Sequence, residues 1–154
     1  MKNLLLALPF FFTLALRAQD ENSKKAEPPF EVQKAFEKDF PKAVATWTID
    51  YTGDNRDQLS YEGDFTQNNT EMTAVYDIKG KRIVLEVGLK TNEIPAKISD
   101  YLVKNYPKNK INNAAKVTTN NTIITYEIGI TIEGRWTDAI FNKEGDFLRM
   151  VQNE

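Results

Sequence analysis

The chain contains one structural unit twice, and this internal repeat constrains the fold more than any other feature of the sequence. The stretch FEKDFPKA at residues 36–43 is echoed 66 positions later by LVKNYPKN at residues 102–109. In each copy, apolar residues recur at helical spacing and a proline follows. Because the residue before a proline is disfavoured in helical geometry, the pattern predicts two amphipathic helices that end near Phe40 and Tyr106.

Prolines also mark where the two predicted helices begin. Pro29 suits the start of the first helix, since proline lacks the N–H group that would be unpaired there. In the second copy, Thr91 or Asn92 is a candidate N-cap, and Pro95 would lie in the first turn. We therefore expect the second helix to begin directly after this cap.

Four strand-like segments follow each predicted helix, because the spacing of apolar residues changes there to alternation. These segments are residues 43–51, 58–66, 71–78 and 82–89 in the first copy, and residues 113–119, 122–132, 135–142 and 146–152 in the second. The turns between them are polar, and they include residues 53–57, 67–69, 79–81, 133–134 and 143–145. Short strands joined by short polar turns predict an antiparallel meander.

The correspondence between the two copies extends into the strands. At an offset of 65, residues 61–80 align with residues 126–145 without a gap. The identities are Tyr61 with Tyr126, Glu62 with Glu127, Thr66 with Thr131, Ala74 with Ala139, and Gly80 with Gly145. We interpret the chain as an α+β protein with a duplicated helix-plus-four-strand unit, repeat one covering about 30–90 and repeat two about 91–154.

The first half carries a recognisable set of core and turn residues. The pattern V-x-x-x-F-x-x-x-F-P-x-A from Val32, followed by Trp47 and by VYDIKG at residues 75–80, resembles the PepSY-like family of secreted bacterial domains. The second half is similar in weaker form, with Asn113 or its neighbours in place of the tryptophan. The resemblance assigns residues 30–154 to a PepSY-like domain.

This resemblance implies a fold and, more loosely, a role. The fold is that of the beta-lactamase inhibitor proteins, in which two tandem helix-plus-four-strand repeats form one antiparallel sheet with the helices on one face. The implied role is inhibition or regulation of a hydrolase or peptidase. The family brings no catalytic residues to this chain.

The N-terminal residues have the pattern of a secretory signal. A lysine precedes an apolar run at Leu4–Leu16, and Ala18 is the small residue before a polar stretch. The run is shorter than the roughly 20 residues that span a bilayer, which favours a signal peptide. The alternative to a signal peptide is a membrane-anchoring helix or a buried helix. We expect a signal peptide over residues 1–18, a flexible segment over residues 19–29, and a periplasmic or secreted product with no membrane span after cleavage.

The chain contains neither cysteine nor histidine. This composition excludes Ser–His–Asp and Cys–His catalytic centres as well as the usual zinc and haem sites. The 20 basic and 22 acidic residues give a net charge of −2, which argues against nucleic acid as a partner because nucleic-acid-binding domains carry basic patches. We therefore expect a protein that is not an enzyme and that has no cofactor and no metal site.

Alternation within the strands predicts which side chains face away from the helices. A sheet covered on one side should place apolar residues under the helices and polar residues on the other face. The candidate binding residues on that other face are Trp136, Ile140, Val75, Glu62 and Glu127. Three of them are apolar, and tryptophan is enriched at binding hot spots. The alternative is that Trp136 covers a sheet edge or packs on a neighbouring strand.

Three weaker motifs have structural alternatives. The turn at residues 54–57 could hold calcium, but it lacks the run of acidic ligands that a calcium loop needs. Glu62 and Glu127 could form a glycosidase-like pair, although any chain with 22 acidic residues offers such pairs. The NNT stretches at residues 68–70 and 120–122 match a glycosylation pattern, and turn formation explains their asparagines better.

Three functions are compatible with these observations. The first is an exported, non-enzymatic protein-binding domain that inhibits or regulates a secreted or envelope hydrolase or peptidase. The second is a small-ligand, peptide or glycan binding module that uses the open sheet face. The third is an enzyme that relies on carboxylates alone, which a screen of hydrolase activity on the purified protein would test.

The signal-peptide prediction is tested by the mass of the exported protein. We expect a mature N-terminus at Gln19, because a small residue is required immediately before the cleavage site. Ala18→Asp should block processing at this position, whereas Ser23→Asp, within the mature segment, should leave it unchanged. An intact mass that retains the first 18 residues in the wild type would contradict the prediction.

Overall fold

The computed structural model describes residues 26–52, 58–120 and 122–152. Within these ranges the elements are α1 (Phe30–Asp39), β1 (Thr46–Thr52), β2 (Gln58–Gln67), β3 (Thr70–Asp77), β4 (Arg82–Gly88), a 3₁₀ helix (Thr91–Glu93), α2 (Ala96–Asn105), β5 (Ile111–Thr119), β6 (Ile123–Ile132), β7 (Arg135–Asn142) and β8 (Phe147–Gln152). All predicted strand segments are present, with bounds shifted by a few residues at most. The predicted signal peptide and the turn at residues 53–57 lie outside the described residues.

All eight strands form one antiparallel sheet in the order β1 to β8. Strands that follow one another directly in sequence are neighbours, and β4 and β5 also pair although α2 lies between them. Their register places Val84 opposite Thr119 and Gly88 opposite Ala115. This pairing joins the strands that follow α1 to those that follow α2, and it confirms the α+β class and the antiparallel meander.

Both helices lie on the same face of the sheet, as the register at the β4–β5 pairing requires. Leu85 of β4 packs against the core beneath α1, and it pairs with Thr118 of β5. Residues an even number of positions apart in a strand share a face, so Thr118 lies on the same side as Ala114, which packs beneath α2. We call the opposite side, where no helix packs within the described ranges, the open face.

The core beneath α1 is rich in aromatic side chains. Val32, Phe36 and Phe40, spaced by four residues, are buried on the inner side of the helix. The Phe36 ring meets the Phe65 ring of β2 edge-on, with 5.0 Å between the centroids. Aromatic pairs with this geometry add about 0.5–1.5 kcal/mol beyond the burial of their surface.

A polar contact fixes the end of α1 to the sheet. The Tyr76 hydroxyl donates to Asp39 Oδ2 at 3.1 Å, and the Arg82 guanidinium donates to the same oxygen at 2.9 Å. The guanidinium carbon of Arg82 also lies 5.5 Å from the centroid of the Phe40 ring. Burial, together with the negative charge of Asp39, raises the pKa of Tyr76, so this tyrosine remains a hydrogen-bond donor.

The core beneath α2 uses more aliphatic side chains. Ile98 and Leu102 are buried against β6 and β7, including Phe141. The Tyr101 ring stacks on the Phe147 ring with 5.0 Å between centroids and an interplanar angle of 9°. The predicted apolar stripe of the second helix is therefore confirmed.

The predicted start of the second helix is wrong by a few residues. Both predicted caps belong to the separate 3₁₀ helix (Thr91–Glu93), and α2 begins at Ala96 with Pro95 before it. The physical reason is the proline itself, which drives the preceding residue out of helical geometry. Ile94 accordingly has a ψ of 130°, and its side chain is buried in the core instead.

Two hairpin turns have the geometry that the sequence predicted. Asn68 and Asn69 join β2 to β3 with φ of 52° and 61°, and Glu133 and Gly134 join β6 to β7 with φ of 51° and 80°. Two-residue turns with positive φ at both positions match the twist of the strands they connect. The asparagines of the first NNT stretch are therefore turn residues, as expected.

The last residues of the predicted flexible segment pack against the domain. The Ala26 N–H donates to the Trp47 carbonyl oxygen at 2.9 Å, and Pro28 is buried. Residues 26–29 therefore have defined contacts with the domain, and the flexibility predicted for residues 19–29 stays a prediction. Among the described residues, neither helix has the length and hydrophobicity that crossing a bilayer requires.

The close approach of the β3–β4 turn to α1 can be tested with a matched pair of glycines. Gly80 and Gly134 have φ of 77° and 80°, but a Cβ at residue 80 would clash with the Glu31 carbonyl oxygen, and one at residue 134 would meet no atom within 4 Å. Gly134→Ala should lower the free energy of unfolding by about 1–2 kcal/mol. Gly80→Ala should lower it by about 2–5 kcal/mol, because the clash adds to the backbone strain. Urea denaturation measures both, and equal losses would contradict the contact.

Candidate binding face

The open face consists of the side chains that alternate with the core residues of each strand. Tyr76 and Phe141 point beneath the helices, so Val75 and Ile140 point to the open face. The same alternation places the other three predicted residues there, namely Glu62, Glu127 and Trp136. The alternation thus brings all five onto one face, as expected, and their role in binding stays a prediction.

The two predicted aliphatic residues, Val75 and Ile140, are not available as a contact surface. Val75 is 0% exposed and Ile140 is 3% exposed. Val75 packs with Val84, Ala115 and Val117 into a small cluster of its own. Apolar residues on this face therefore fill space within the sheet surface, which alternation alone could not reveal.

This open-face cluster spans the join between the two halves of the sheet. Val75 belongs to β3 and Val84 to β4, whereas Ala115 and Val117 belong to β5. A register shift after Val75 opposite β4 lets Ile83 pack against the cluster as well. The cluster therefore supports the β4–β5 pairing from the side that no helix covers.

Carboxylates surround this cluster, and three of them are almost completely buried. Glu86, Asp138 and Glu127 are 2%, 4% and 6% exposed. We define the acidic group as Glu62, Asp64, Glu86, Glu127 and Asp138. Removing an ionised carboxylate from water costs free energy unless a charge partner and hydrogen bonds compensate it. Burial of these carboxylates on the open face therefore lowers the stability of the fold unless such partners are present.

Burial and repulsion raise the pKa of two members of the acidic group, Glu86 and Glu127. Burial raises the pKa of Glu86 well above its usual range, and the charges of Glu127 and Glu62 raise it further. Burial and, to a smaller extent, the charge of Asp138 raise the pKa of Glu127 to about 7, against an opposing effect of Arg149. Perturbed carboxyl groups that act on one another in this way are more frequent at functional sites than elsewhere.

Sequence reasoning missed Glu86. It lies on β4, between Glu62 on β2 and Glu127 on β6, and so it couples the two halves of the acidic group. The signal was present, because Glu86 interrupts the apolar run at residues 83–87. A single acidic residue inside an otherwise apolar strand is a candidate for a buried, functional charge.

Glu127 and Asn113 have buried polar atoms without hydrogen-bond partners. Glu127 Oε2 and both polar atoms of the Asn113 side chain are buried without a hydrogen-bond partner. Asn113 pairs with Gly129, and Gly129 pairs with Asp138 on the next strand. A Cβ at residue 129 would overlap Asn113 Oδ1, so the missing side chain of Gly129 leaves the space in which this amide lies. Buried polar groups are normally paired, and these are exceptions.

Trp136 is half-buried, and it contacts the acidic group through Asp138. Its indole N–H donates to Asp138 Oδ1 at 3.3 Å, and the residue pairs with Thr131 of β6. This hydrogen bond lies within β7, so the binding role of Trp136 and the alternative that it covers a sheet edge or packs on a neighbouring strand both stay predictions. The exposed part of the indole lies beside the acidic group, where a partner could reach it.

Of the two weaker site hypotheses, the geometry bears on the carboxylate pair, and the calcium turn lies outside the described residues. Glu62 and Glu127 lie on strands four apart, so their backbones are about 19 Å from each other across the sheet. A glycosidase pair needs carboxyl groups about 5–10 Å apart, so this strand separation does not favour the pair. Within residues 26–52, 58–120 and 122–152, no group of three or more acidic side chains has the arrangement of a metal site. The proposed calcium turn lies outside these ranges.

Comparison with known proteins identifies the fold but not a family. No protein-family model matches the chain, and no curated protein matches it significantly. A solved structure from Bacteroides eggerthii, provisionally described as a periplasmic protein, is 18% identical, with a TM-score of 0.71 over 82% of this chain and 90% of that chain.

Two further solved structures are similar. A DUF2874 family protein from Bacteroides uniformis is 17% identical, with a TM-score of 0.71 over 82% of this chain and 90% of that chain. A BLIP-like protein from Bacteroides fragilis is 18% identical, with a TM-score of 0.64 over 86% of this chain and 92% of that chain. At these identities the likeness concerns the fold, and the chain has a BLIP-like fold.

The raised pKa of Glu127 predicts a specific dependence of stability on pH. The folded state holds a proton on Glu127 that the unfolded state has lost, so the free energy of unfolding falls as pH rises from the usual glutamate pKa to about 7. Glu127→Gln removes this group, and the variant should lose less stability than the wild type between about pH 5 and about pH 8, by roughly 1–3 kcal/mol. Urea denaturation at both pH values measures the difference.

Glu144→Gln is the matched control, because Glu144 is exposed in the β7–β8 turn. This variant should follow the pH dependence of the wild type. If Glu127→Gln also follows it, the raised pKa of Glu127 is contradicted.

Proposed function

We propose that this chain is an exported, non-enzymatic protein-binding domain that inhibits or regulates a secreted or envelope hydrolase or peptidase through its open face. The observation that carries the proposal is the burial of Glu86, Glu127 and Asp138 on that face. Neutral side chains of similar size would cost less free energy at these positions. Side chains retained at such a cost are more typical of binding or catalytic sites than of scaffolding.

A binding role is favoured over catalysis by the available chemistry. The chain has no histidine and no cysteine, so carboxylates would have to supply every acid, base and nucleophile. Trp136, which is half-buried beside those carboxylates, suits contact with another protein better than activation of water.

The predicted duplication is part of this proposal. We infer that two copies of a PepSY-like unit were joined through β4 and β5, because corresponding positions make the same backbone hydrogen bonds. These bonds are Phe40 N–H to Phe36 O and Tyr106 N–H to Leu102 O, both 2.8 Å, and Gly80 N–H to Asp77 O and Gly145 N–H to Asn142 O, both 3.0 Å. The open face then extends across both copies.

Export to the periplasm is the location that fits the proposal. The predicted signal peptide supports it, and so does the provisional description of the Bacteroides eggerthii protein as periplasmic. The BLIP-like fold of the Bacteroides fragilis protein supports a partner that is itself a protein. An inhibitor or regulator of an envelope hydrolase would meet its target in that compartment.

Site-specific photo-crosslinking in the source cell tests the proposal. A crosslinking amino acid at Trp136, on the open face, should capture a defined envelope protein, whereas the same amino acid at the exposed Val103 of α2 should not. With the captured protein purified, Trp136→Ala should weaken the complex at least about tenfold, as expected for a hot-spot aromatic residue. Val103→Ala, an apolar truncation on the other side of the molecule, should leave the affinity unchanged.

The hydrolase or peptidase activity of the captured protein is then measured with and without this chain. A change in its rate supports a regulatory role, and an unchanged rate contradicts that part of the proposal. Equal capture from Trp136 and Val103 would contradict the open face as the contact surface. A peptide or glycan retained by the purified protein in native mass spectrometry, without a captured protein, would favour the ligand-binding alternative.

A further inference from the structure

We propose that Asn113, Glu127 and Asp138 form a recognition site on the open face for a lysine or arginine side chain of a protein partner. This inference rests on the proposed function and deepens it, since it names the chemical group that the open face receives. We call these three residues the cation site. They come from three neighbouring strands, β5, β6 and β7.

The sheet register brings the three side chains together. Asn113 and Asp138 are the two cross-strand partners of Gly129, and Glu127 is two positions from that glycine on the same strand and face. Asn113 and Asp138 are therefore diagonal neighbours of Glu127, a distance that long polar side chains can bridge. A Cβ at Gly129 would overlap Asn113 Oδ1 and lie 3.2 Å from Asp138 Oδ1, so both oxygens border the space above this glycine.

Two of the three unsatisfied atoms accept hydrogen bonds and so favour a ligand that donates them, whereas Asn113 Nδ2 is itself a donor. Glu127 Oε2 and Asn113 Oδ1 are buried acceptors without a hydrogen-bond partner. Only 6% of the surface of Glu127 is exposed. The Asp138 carboxylate, whose Oδ1 accepts from the Trp136 indole N–H, adds negative charge beside them. A guanidinium group offers five N–H donors and an ammonium group three, so either can satisfy several convergent oxygens at once.

The charge balance of the open face also favours a cation. Glu127 experiences the negative charge of Asp138, and Glu86 experiences those of Glu127 and Glu62. Arg149 of β8 counteracts this charge at Glu127, but burial and repulsion still raise the pKa of that carboxyl to about 7. A bound cation would complement the group, because opposite charges favour the ionised carboxylate.

The surroundings suit an organic cation rather than a metal ion. In the part of the chain that the structure describes, no three acidic side chains are placed to ligate a metal. Trp136 lies two positions before Asp138 on the same face and exposes part of its ring. Aromatic rings attract guanidinium and ammonium groups, and the aliphatic stems of these side chains pack on apolar surface.

The experiment uses single amino-acid amides as probes, with the full mature protein labelled for detection of its side-chain carboxyl carbons by NMR. N-acetyl-arginine amide and N-acetyl-lysine amide are titrated at constant ionic strength. N-acetyl-citrulline amide is the control, because it is close to arginine in shape but carries no charge. We expect the charged probes to shift the Glu127 carboxyl signal and to lower its titration midpoint, with dissociation constants on the order of 1 mM.

Two variants locate the effect. Glu127→Gln keeps the shape of the side chain and should weaken binding of the arginine probe at least about tenfold, as expected for loss of a charge-assisted hydrogen bond. Asn113→Ala should weaken it several-fold. Glu71→Gln removes an equal charge from an exposed position of β3, and it should leave the affinity unchanged. Thermal unfolding of each variant verifies that the fold is retained.

Three results would overturn the cation site. These are equal shifts with the citrulline probe, unchanged arginine binding by Glu127→Gln, and saturation of the Glu127 signal by calcium chloride but not by either charged probe. A captured partner that binds Glu127→Gln normally but not Trp136→Ala would also overturn it, while the proposed function would stand. Loss of crosslinking from the open face would instead contradict the proposed function.

Discussion

The pairing of β4 with β5 is the interaction on which the rest of the structure depends. It joins strands that are far apart in sequence and thereby converts two helix-plus-four-strand segments into one sheet. Its register also places Leu85 and Thr118 on one side and Glu86 and Val117 on the other. Both helices consequently share a face, and the opposite face is left to side chains that no helix covers.

The two faces of the sheet differ in the side chains that they bury. Beneath the helices, apolar and aromatic side chains form two cores, each centred on the helix that precedes its strands. On the open face, a small apolar cluster secures the join, and carboxylates are buried around it despite their cost in desolvation and repulsion. Stability comes from the covered face, and this allows the open face to carry the charges for which we propose a role in recognition.

Much of the fold could be predicted because helices and strands have different apolar periods. The proline after each helix, the switch to alternation and the turn residues located both helices and all eight strands. The start of α2 was missed because Pro95 excludes helical geometry at Ile94, and a 3₁₀ turn separates the expected cap from the helix. Alternation placed Val75 and Ile140 on the correct face but could not show that neighbouring strands bury them.

The candidate site was only partly predictable, and the division has a physical reason. By itself the sequence determined the repeated pattern, the face on which each side chain lies and the absence of histidine and cysteine chemistry, because these depend on local period and composition. Only the tertiary structure decided that Asn113, Glu127 and Asp138 meet around Gly129, and that Glu86 lies among the other carboxylates. Such neighbours are set by the register between strands, which local alternation leaves open, since alternation assigns a face but not a partner across the sheet.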